Sequence, residues 1–271
     1  MKMRWMRGFL SILFLSTVHC AFAIDEREAD FLLDQLGKGD KAALSKLESL
    51  ADAGDAVAQD RLGFAYLKGL NGEKDYVLAK TWLVKAALQG YAWSEVRVAY
   101  MYENGLGEER DLQQAMTWYQ KACEHANVAA CYNLGLLYQQ GQDLPKDEAL
   151  AKKWYGMAAE RGLAVAQLNL GMLYMDGSDY AEALHWLSKA AAAGNSNAML
   201  AIAKLHEKGW GVKQDDAEAL RWYRRSADAG NWQAMGNISD AYKFGKLGLP
   251  KDEEKSQEWY RKFIEAQLPR K

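Results

Sequence analysis

Leu134-Gly135-Leu136-Leu137-Tyr138-Gln139-Gln140-Gly141, followed by Asp147-Glu148-Ala149-Leu150-Ala151-Lys152-Lys153-Trp154-Tyr155-Gly156-Met157-Ala158-Ala159-Glu160-Arg161-Gly162, is the stretch that decides the fold. Trp154 is one of a series: Trp82, Trp118, Trp154, Trp186, Trp222 and Trp259 are separated by 36, 36, 32, 36 and 37 residues. Seven residues before each stands an aspartate: Asp75, Asp111, Asp147, Asp179, Asp215 and Asp252. Three before it is Ala79, Ala115, Ala151, Ala183, Ala219 or Ser256, and eight after it Gly90, Gly162, Gly194 or Gly230, with Ala126 and Gln267 as exceptions. Four aligned columns over six periods are an internal repeat, and the period is that of stacked helical units.

Each column has a physical task. The aspartate is placed to cap a helix, accepting from N–H groups that have no partner inside it. The small residue and the tryptophan, three apart, share one helix face. The glycine ends the helix in the left-handed conformation. An earlier helix is marked by Ala58, Ser94, Ala130, Ala166, Ala198 and Ala234, and five residues on by Gly63, Ala99, Gly135, Gly171, Ala203 and Ser239. Tyr66, Tyr102, Tyr138, Tyr174, His206 and Tyr242 follow three later, then Gly69, Gly105, Gly141, Gly177, Gly209 and Gly245. Each unit therefore reads as helix, short loop, helix. One unit cannot bury its apolar face alone, so the units must stack. The expected fold is all-α: a right-handed superhelical solenoid of six repeats of about 36 residues, preceded by a half-repeat cap around Lys41 to Gly54.

The pattern Leu-Gly-x-x-Tyr-x-x-Gly, then Asp-x-x-x-Ala-x-x-Trp-Tyr-x-x-Ala-Ala-x-x-Gly, closely resembles the Sel-one-like repeat (SLR), a relative of the tetratricopeptide repeat. The resemblance covers roughly residues 58–267, and it implies a scaffold that binds proteins or peptides. Residues 24–57 are expected to form a helical cap and 58–271 the solenoid, with the last repeat, bearing Phe263 and Ile264 in place of small residues, closing it. The fourth repeat is four residues short, all between Gly177 and Asp179, so both of its helices keep register.

Residues 1–23 read as a cleaved secretory signal: Lys2, Arg4 and Arg7, then an apolar run from Phe9 to Val18, then Ala21-Phe22-Ala23. The expected location is the periplasm or beyond, with no stable membrane insertion after cleavage. Removing the three positive charges takes the net charge from −2 to −5, a balance that offers no field for nucleic acid.

Cys123 and Cys131 remain after Cys20 leaves with the signal. Cys123 takes the place of Ala87, Ala159, Ala191 and Ala227, and Cys131 that of Gln59, Glu95 and Gln167. A disulfide would clamp the turn that lacks its glycine; two separate buried thiols are the alternative. The spacing and the Lys-Ala-Cys start resemble the cysteine-rich branch of secreted SLR proteins.

Catalytic signatures are missing. The sequence has no His-Glu-x-x-His, no phosphate loop and no Ser-x-x-Lys, so no catalytic residue, cofactor or metal site is assigned. The expected function is an exported protein-interaction scaffold or adaptor. A penicillin-interacting or cell-wall-directed hydrolase and a structural subunit of an envelope machine are the alternatives.

Binding is expected on the concave wall lined by first helices. Arg61, Arg97, Asn133 and Asn169 there should face outward beside Phe64, Tyr100, Leu136 and Met172, a combination suited to a peptide. The alternative for the apolar set is packing between repeats. Trp210, between Gly209 and Gly211, is the loop aromatic best placed as an anchor.

Overall fold

A computed structural model of the chain describes residues 24–141 and 145–268. The expected signal segment lies outside the described residues. Fourteen helices occur among them, and the chain divides into two compact units whose boundary falls within α6 (Leu112–Glu124). The first unit holds α1 (Glu26–Gly37), α2 (Lys41–Asp52), α3 (Ala56–Lys68), α4 (Tyr76–Leu88) and α5 (Ala92–Asn104). The second holds α7 (Val128–Gln140), α8 (Glu148–Glu160), α9 (Ala164–Asp176), α10 (Tyr180–Ala192), α11 (Ser196–Lys208), α12 (Asp216–Asp228), α13 (Trp232–Phe244) and α14 (Glu253–Gln267).

The capping column accounts for where the second helix of each repeat starts. The side chains of Asp75, Asp111, Asp147, Asp179, Asp215 and Asp252 each accept from the backbone N–H three residues on, at 2.9 to 3.3 Å. The same aspartates donate their own N–H to the carbonyl of the repeat aromatic or its histidine substitute: Asp75 to Tyr66, Asp111 to Tyr102, Asp147 to Tyr138, Asp179 to Tyr174, Asp215 to His206 and Asp252 to Tyr242, at 2.9 to 3.1 Å. One residue thus starts the second helix and ties it to the end of the first. In the shortened fourth repeat the glycine departs from its expected role: Gly177 sits at φ −77°, and Ser178 takes the left-handed turn at φ 63°.

The small columns set how closely the paired helices approach. A Cβ on Gly135 would lie 2.4 Å from the Tyr155 ring, and one on Gly63 or Gly171 2.7 Å from Leu83 or Leu187. Leu83, Tyr155 and Leu187 each follow a tryptophan of the column, and they are buried, as are Tyr119 and Tyr223 at the same position. Tyr155 donates to Gln139 Oε1 at 2.6 Å and Tyr223 to Glu207 Oε2 at 2.5 Å. Burial pushes the Tyr155 phenol up to about 12, and burial together with the Glu207 carboxylate raises Tyr223 as well. A phenol with a raised folded pKa contributes stability that is complete below the unfolded value of about 10 and is lost as pH rises through the folded value. The urea midpoint should therefore fall steeply above about pH 10, and Tyr155→Phe should make that fall shallower.

The half-repeat around Lys41 to Gly54 is α2, and one more helix, α1, pairs with it; Asp25 and Asp40 cap the two. Leu32, Leu36, Ala43 and Leu47 are buried against Ala58, Leu62 and Ala65 of α3. This pair closes the apolar end of the first repeat without using the tryptophan column.

Turns between repeats share a second device. Gln59 Nε2 donates to the carbonyl of Ala51, eight residues earlier, at 3.0 Å, and Gln167 does the same to Ala159. Cys131, in the same position, is instead bonded covalently to Cys123, also eight residues earlier, with Sγ–Sγ 2.08 Å and Cα–Cα 4.9 Å. The disulfide replaces a recurring hydrogen bond, and both sulfurs are buried. The turn it spans holds Ala126 at φ 64°, where the other repeats place glycine. Left-handed backbone costs a residue with a Cβ about 1–2 kcal/mol.

A third residue completes the device. Gln89, the C-cap of α4, donates to Gln59 Oε1 at 2.8 Å and to the carbonyl of Gly54 at 3.1 Å. Arg161, the C-cap of α8, donates from Nη1 to Cys131 Sγ at 3.0 Å and to the carbonyl of Cys123 at 3.1 Å. The corresponding C-cap of α10 is Ala193, which has no side chain to reach back, and Gln167 Oε1 is buried without a partner. Ala193→Gln should supply the missing donor and raise stability by about 1 kcal/mol, read as a shift in denaturant midpoint. No shift would mean that Gln167 is satisfied in some other way.

Candidate functional site

Each unit has its own first-helix face. In the first, its centre is a buried carboxylate that the repeat pattern does not contain. Asp60 stands where the other repeats carry Val96, Tyr132, Leu168, Leu200 and Gly236, and it is fully buried. It accepts from Ser94 Oγ at 2.6 Å, from Arg61 Nη1 at 2.5 Å and from Arg97 Nη1. Arg61 reaches on to Asp30 of α1 at 2.6 Å and to the Tyr91 hydroxyl at 3.2 Å, and Tyr91 donates to Glu26 at 3.0 Å. Three helices and the turn before α5 are joined by this network.

Arg61 therefore does not face outward, as its position in the repeat led us to expect. Its side chain is 9% exposed, drawn inward by Asp60 and covered by α1. Burial disfavours its charge, but the hydrogen bonds to Asp30 and Tyr91 and the charge of Asp60 outweigh that and raise its pKa. Arg97 is the accessible member, 21% exposed, with its guanidinium 4.7 Å from the Phe64 ring centroid. Phe64 is half-buried beneath it, while Tyr100, one turn along α5, is exposed, as is Trp93 at the start of the helix. Asp60 on one side and Phe64 on the other fix the Arg97 fork. A pre-ordered guanidinium beside an exposed phenol can pair with a carboxylate and cover an apolar group without further ordering cost.

In the second unit the face is more muted. Asn133 and Asn169 are half-buried; Asn169 Nδ2 lies 3.5 Å from the Tyr132 hydroxyl, and the Tyr132 ring packs at 5.6 Å from Tyr155. Ala201 is buried, whereas Lys204 and Asp240 are exposed. Trp210 is exposed but stacked on Tyr180, 5.7 Å away and 13° from parallel, so one of its faces is already occupied. His206, which stands in the tyrosine column, has its Nδ1 buried with no partner among the described residues.

Two features escaped the sequence reading. Asp60 was hidden because only comparison of the same position across repeats singles it out. The second is a cation three residues after the tryptophan, which lies over the indole: Lys85 on Trp82, Lys189 on Trp186, Arg225 on Trp222 and Lys262 on Trp259, at 3.8 to 4.3 Å. Its spacing is visible in the sequence once the tryptophan column is known. Among the described residues no cluster of three or more His, Cys, Asp or Glu is placed to hold a metal, and no helix is long and apolar enough to cross a membrane.

These paired helices, with their capped starts and small-residue contacts, define a helical repeat protein. The Sel1 repeat model matches residues 56–91, 94–127, 128–163, 164–195, 196–231 and 232–268, and the chain belongs to that family. Among solved structures, c5321, described as a protective antigen of uropathogenic Escherichia coli strains with an SLR fold, is 35% identical with a TM-score of 0.73. That match covers 82% of this chain and 48% of the antigen, so the chain spans about half the length of that relative. A Sel1 repeat protein from Oxalobacter formigenes is 32% identical at a TM-score of 0.66, covering 88% of this chain and 96% of its own. The C-terminal part of a tetratricopeptide-repeat protein from Cytophaga hutchinsonii, 15% identical over 90% of this chain and 95% of its own, shares the fold at a TM-score of 0.56. No curated protein matches the chain.

Proposed function

We propose that the chain is an exported protein-interaction scaffold that holds a protein or peptide partner on its first-helix face, with Arg97 and Tyr100 as the principal contacts. The observation that carries this reading is the fixed Arg97 fork, held by buried Asp60 and Phe64 and set beside exposed Tyr100. Asn133 and Asn169 supply polar contacts in the second unit, and Arg61 supports Arg97 through Asp60 rather than touching the partner. Export is supported by the signal-like residues 1–23 and by the buried disulfide, a bond that persists in oxidising compartments.

The test is cross-linked capture of the tagged protein in its native envelope, followed by mass spectrometry. A partner recovered with the parent chain and lost from Arg97→Ala/Tyr100→Ala, with helicity retained at the temperature of capture, is the expected result. The same partners recovered from both proteins would remove this face from consideration.

A further inference from the structure

We infer that Asp55 is a built-in counter-ion for a new N-terminus: hydrolysis of the Ala23–Ile24 bond releases an ammonium on Ile24 that pairs with its carboxylate. The inference rests on the export proposed above. Ile24 follows directly on Ala21-Phe22-Ala23, yet it does not trail from the fold. It is 7% exposed and belongs to the apolar cluster of Ala29, Leu32, Ala58 and Leu62. Its backbone nitrogen donates to Asp55 Oδ2 at 3.0 Å, across 31 residues of sequence. A chain end is loose unless it is tied down, and here both the side chain and the nitrogen are tied.

Comparison across the repeats shows that the charge of Asp55 is not needed for its other task. Its Oδ1 caps α3, accepting from the Ala58 N–H at 2.7 Å. Asparagine does the same work in three other repeats, where Asn127, Asn195 and Asn231 accept from Ala130, Ala198 and Ala234 at 3.0 to 3.1 Å. Tyr91 and Leu163 fill the position in the remaining two, so Asp55 alone is charged there. Its second oxygen is the one that meets Ile24. The covalent step is a hydrolysis by a signal peptidase. Water cleaves the C–N bond, Ala23 keeps a carboxylate, and the acid proton passes to the amine of Ile24. A neutral N–H facing a carboxylate thereby becomes an ammonium, and the hydrogen bond becomes charge-assisted. The carboxylates at the start of α1 are engaged elsewhere: Asp25 by the Glu28 N–H, Glu26 by the Tyr91 hydroxyl and Glu28 by Lys46. They also offset the positive end of the helix, which would otherwise oppose an ammonium beside it. Asp30 and Glu26 of α1 reach Arg61 and Tyr91, so the new pair seats the helix that covers the Asp60 network.

Mass spectrometry of the protein recovered from its native envelope reads the N-terminus directly, and the expected first residue is Ile24. A chain still carrying residues 1–23 would overturn this proposal together with export. A start at any other residue would overturn this proposal and leave export standing. Hydrogen exchange then tests the pair. In the processed protein, residues 24–271, the amides of α1 should exchange about tenfold more slowly than in a chain whose Ile24 follows a neutral Gly-Ser extension. Asp55→Asn, which keeps a cap like those of Asn127, Asn195 and Asn231, should abolish that difference while α3 stays protected. Equal exchange in the two parent chains, or a difference that survives Asp55→Asn, would overturn the pairing.

Discussion

Asp60→Ala should lower the stability of the folded chain by about 3–5 kcal/mol, the usual cost of removing one partner from a buried ion pair. The carboxylate is fully buried and receives Ser94, Arg61 and Arg97, so its loss takes a partner from two guanidinium groups at once. Arg61 keeps Asp30 and Tyr91, which limits the damage on that side. Arg97 keeps only its contact with the Phe64 ring among its identified partners. A comparison separates charge from packing. Asp60→Leu copies Leu168 and Leu200 at the same position in other repeats and fills the space, yet leaves Arg97 without its carboxylate and Arg61 with Asp30 and Tyr91 alone. It should be nearly as damaging as alanine. Adding Arg61→Asn and Arg97→Asn to Asp60→Leu, after the pattern around Asn133 and Asn169, should recover most of the loss. Urea midpoints decide the matter. A cost below about 1 kcal/mol for Asp60→Ala would mean that water already solvates the cluster.

Reduction of the Cys123–Cys131 bond should be the second large effect. Closing so short a loop constrains the unfolded chain by about 2.5 kcal/mol on the chain-entropy model. Without the bond, the turn must hold Ala126 in its left-handed conformation unaided. The parent repeats suggest the rescue. Cys123→Ala/Cys131→Ala should show the full loss. Cys123→Ala/Cys131→Gln rebuilds the Gln167–Ala159 arrangement and offers Arg161 an acceptor like the one Gln59 offers Gln89, so it should regain about 1 kcal/mol. Adding Ala126→Gly should regain a similar amount. Equal stability of the alanine and glutamine variants would show that the hydrogen bond and the disulfide are not equivalent.

The repeat columns made the helices, their starts and their pairing legible in the sequence, because each rests on local chemistry that recurs. The tie between Cys123 and Cys131 could be read for the same reason, since both residues stand at identified positions in the repeat. The fate of Arg61 could not. Its helical position faces outward in the repeat frame, but its orientation is decided by a neighbouring carboxylate found in one repeat and by Asp30, 31 residues away in a helix that carries none of the columns. The pairing of α1 with α2 was hidden likewise, since those helices close an end rather than continue the period. Pairwise charge neutralisation leaves no periodic trace.

The hydrogen bond from each capping aspartate to the aromatic position of the preceding helix spans nine residues in four repeats, ten in the last and only five in the fourth, yet its length stays within 2.9 to 3.1 Å. The segment between those two residues is therefore a tolerant joint, where chain can be added or removed while the flanking helices remain anchored. It is the natural place to graft an epitope, a fluorophore-bearing peptide or a protease site, one joint per repeat. Cleavage at such grafts would report which repeats a bound partner shields.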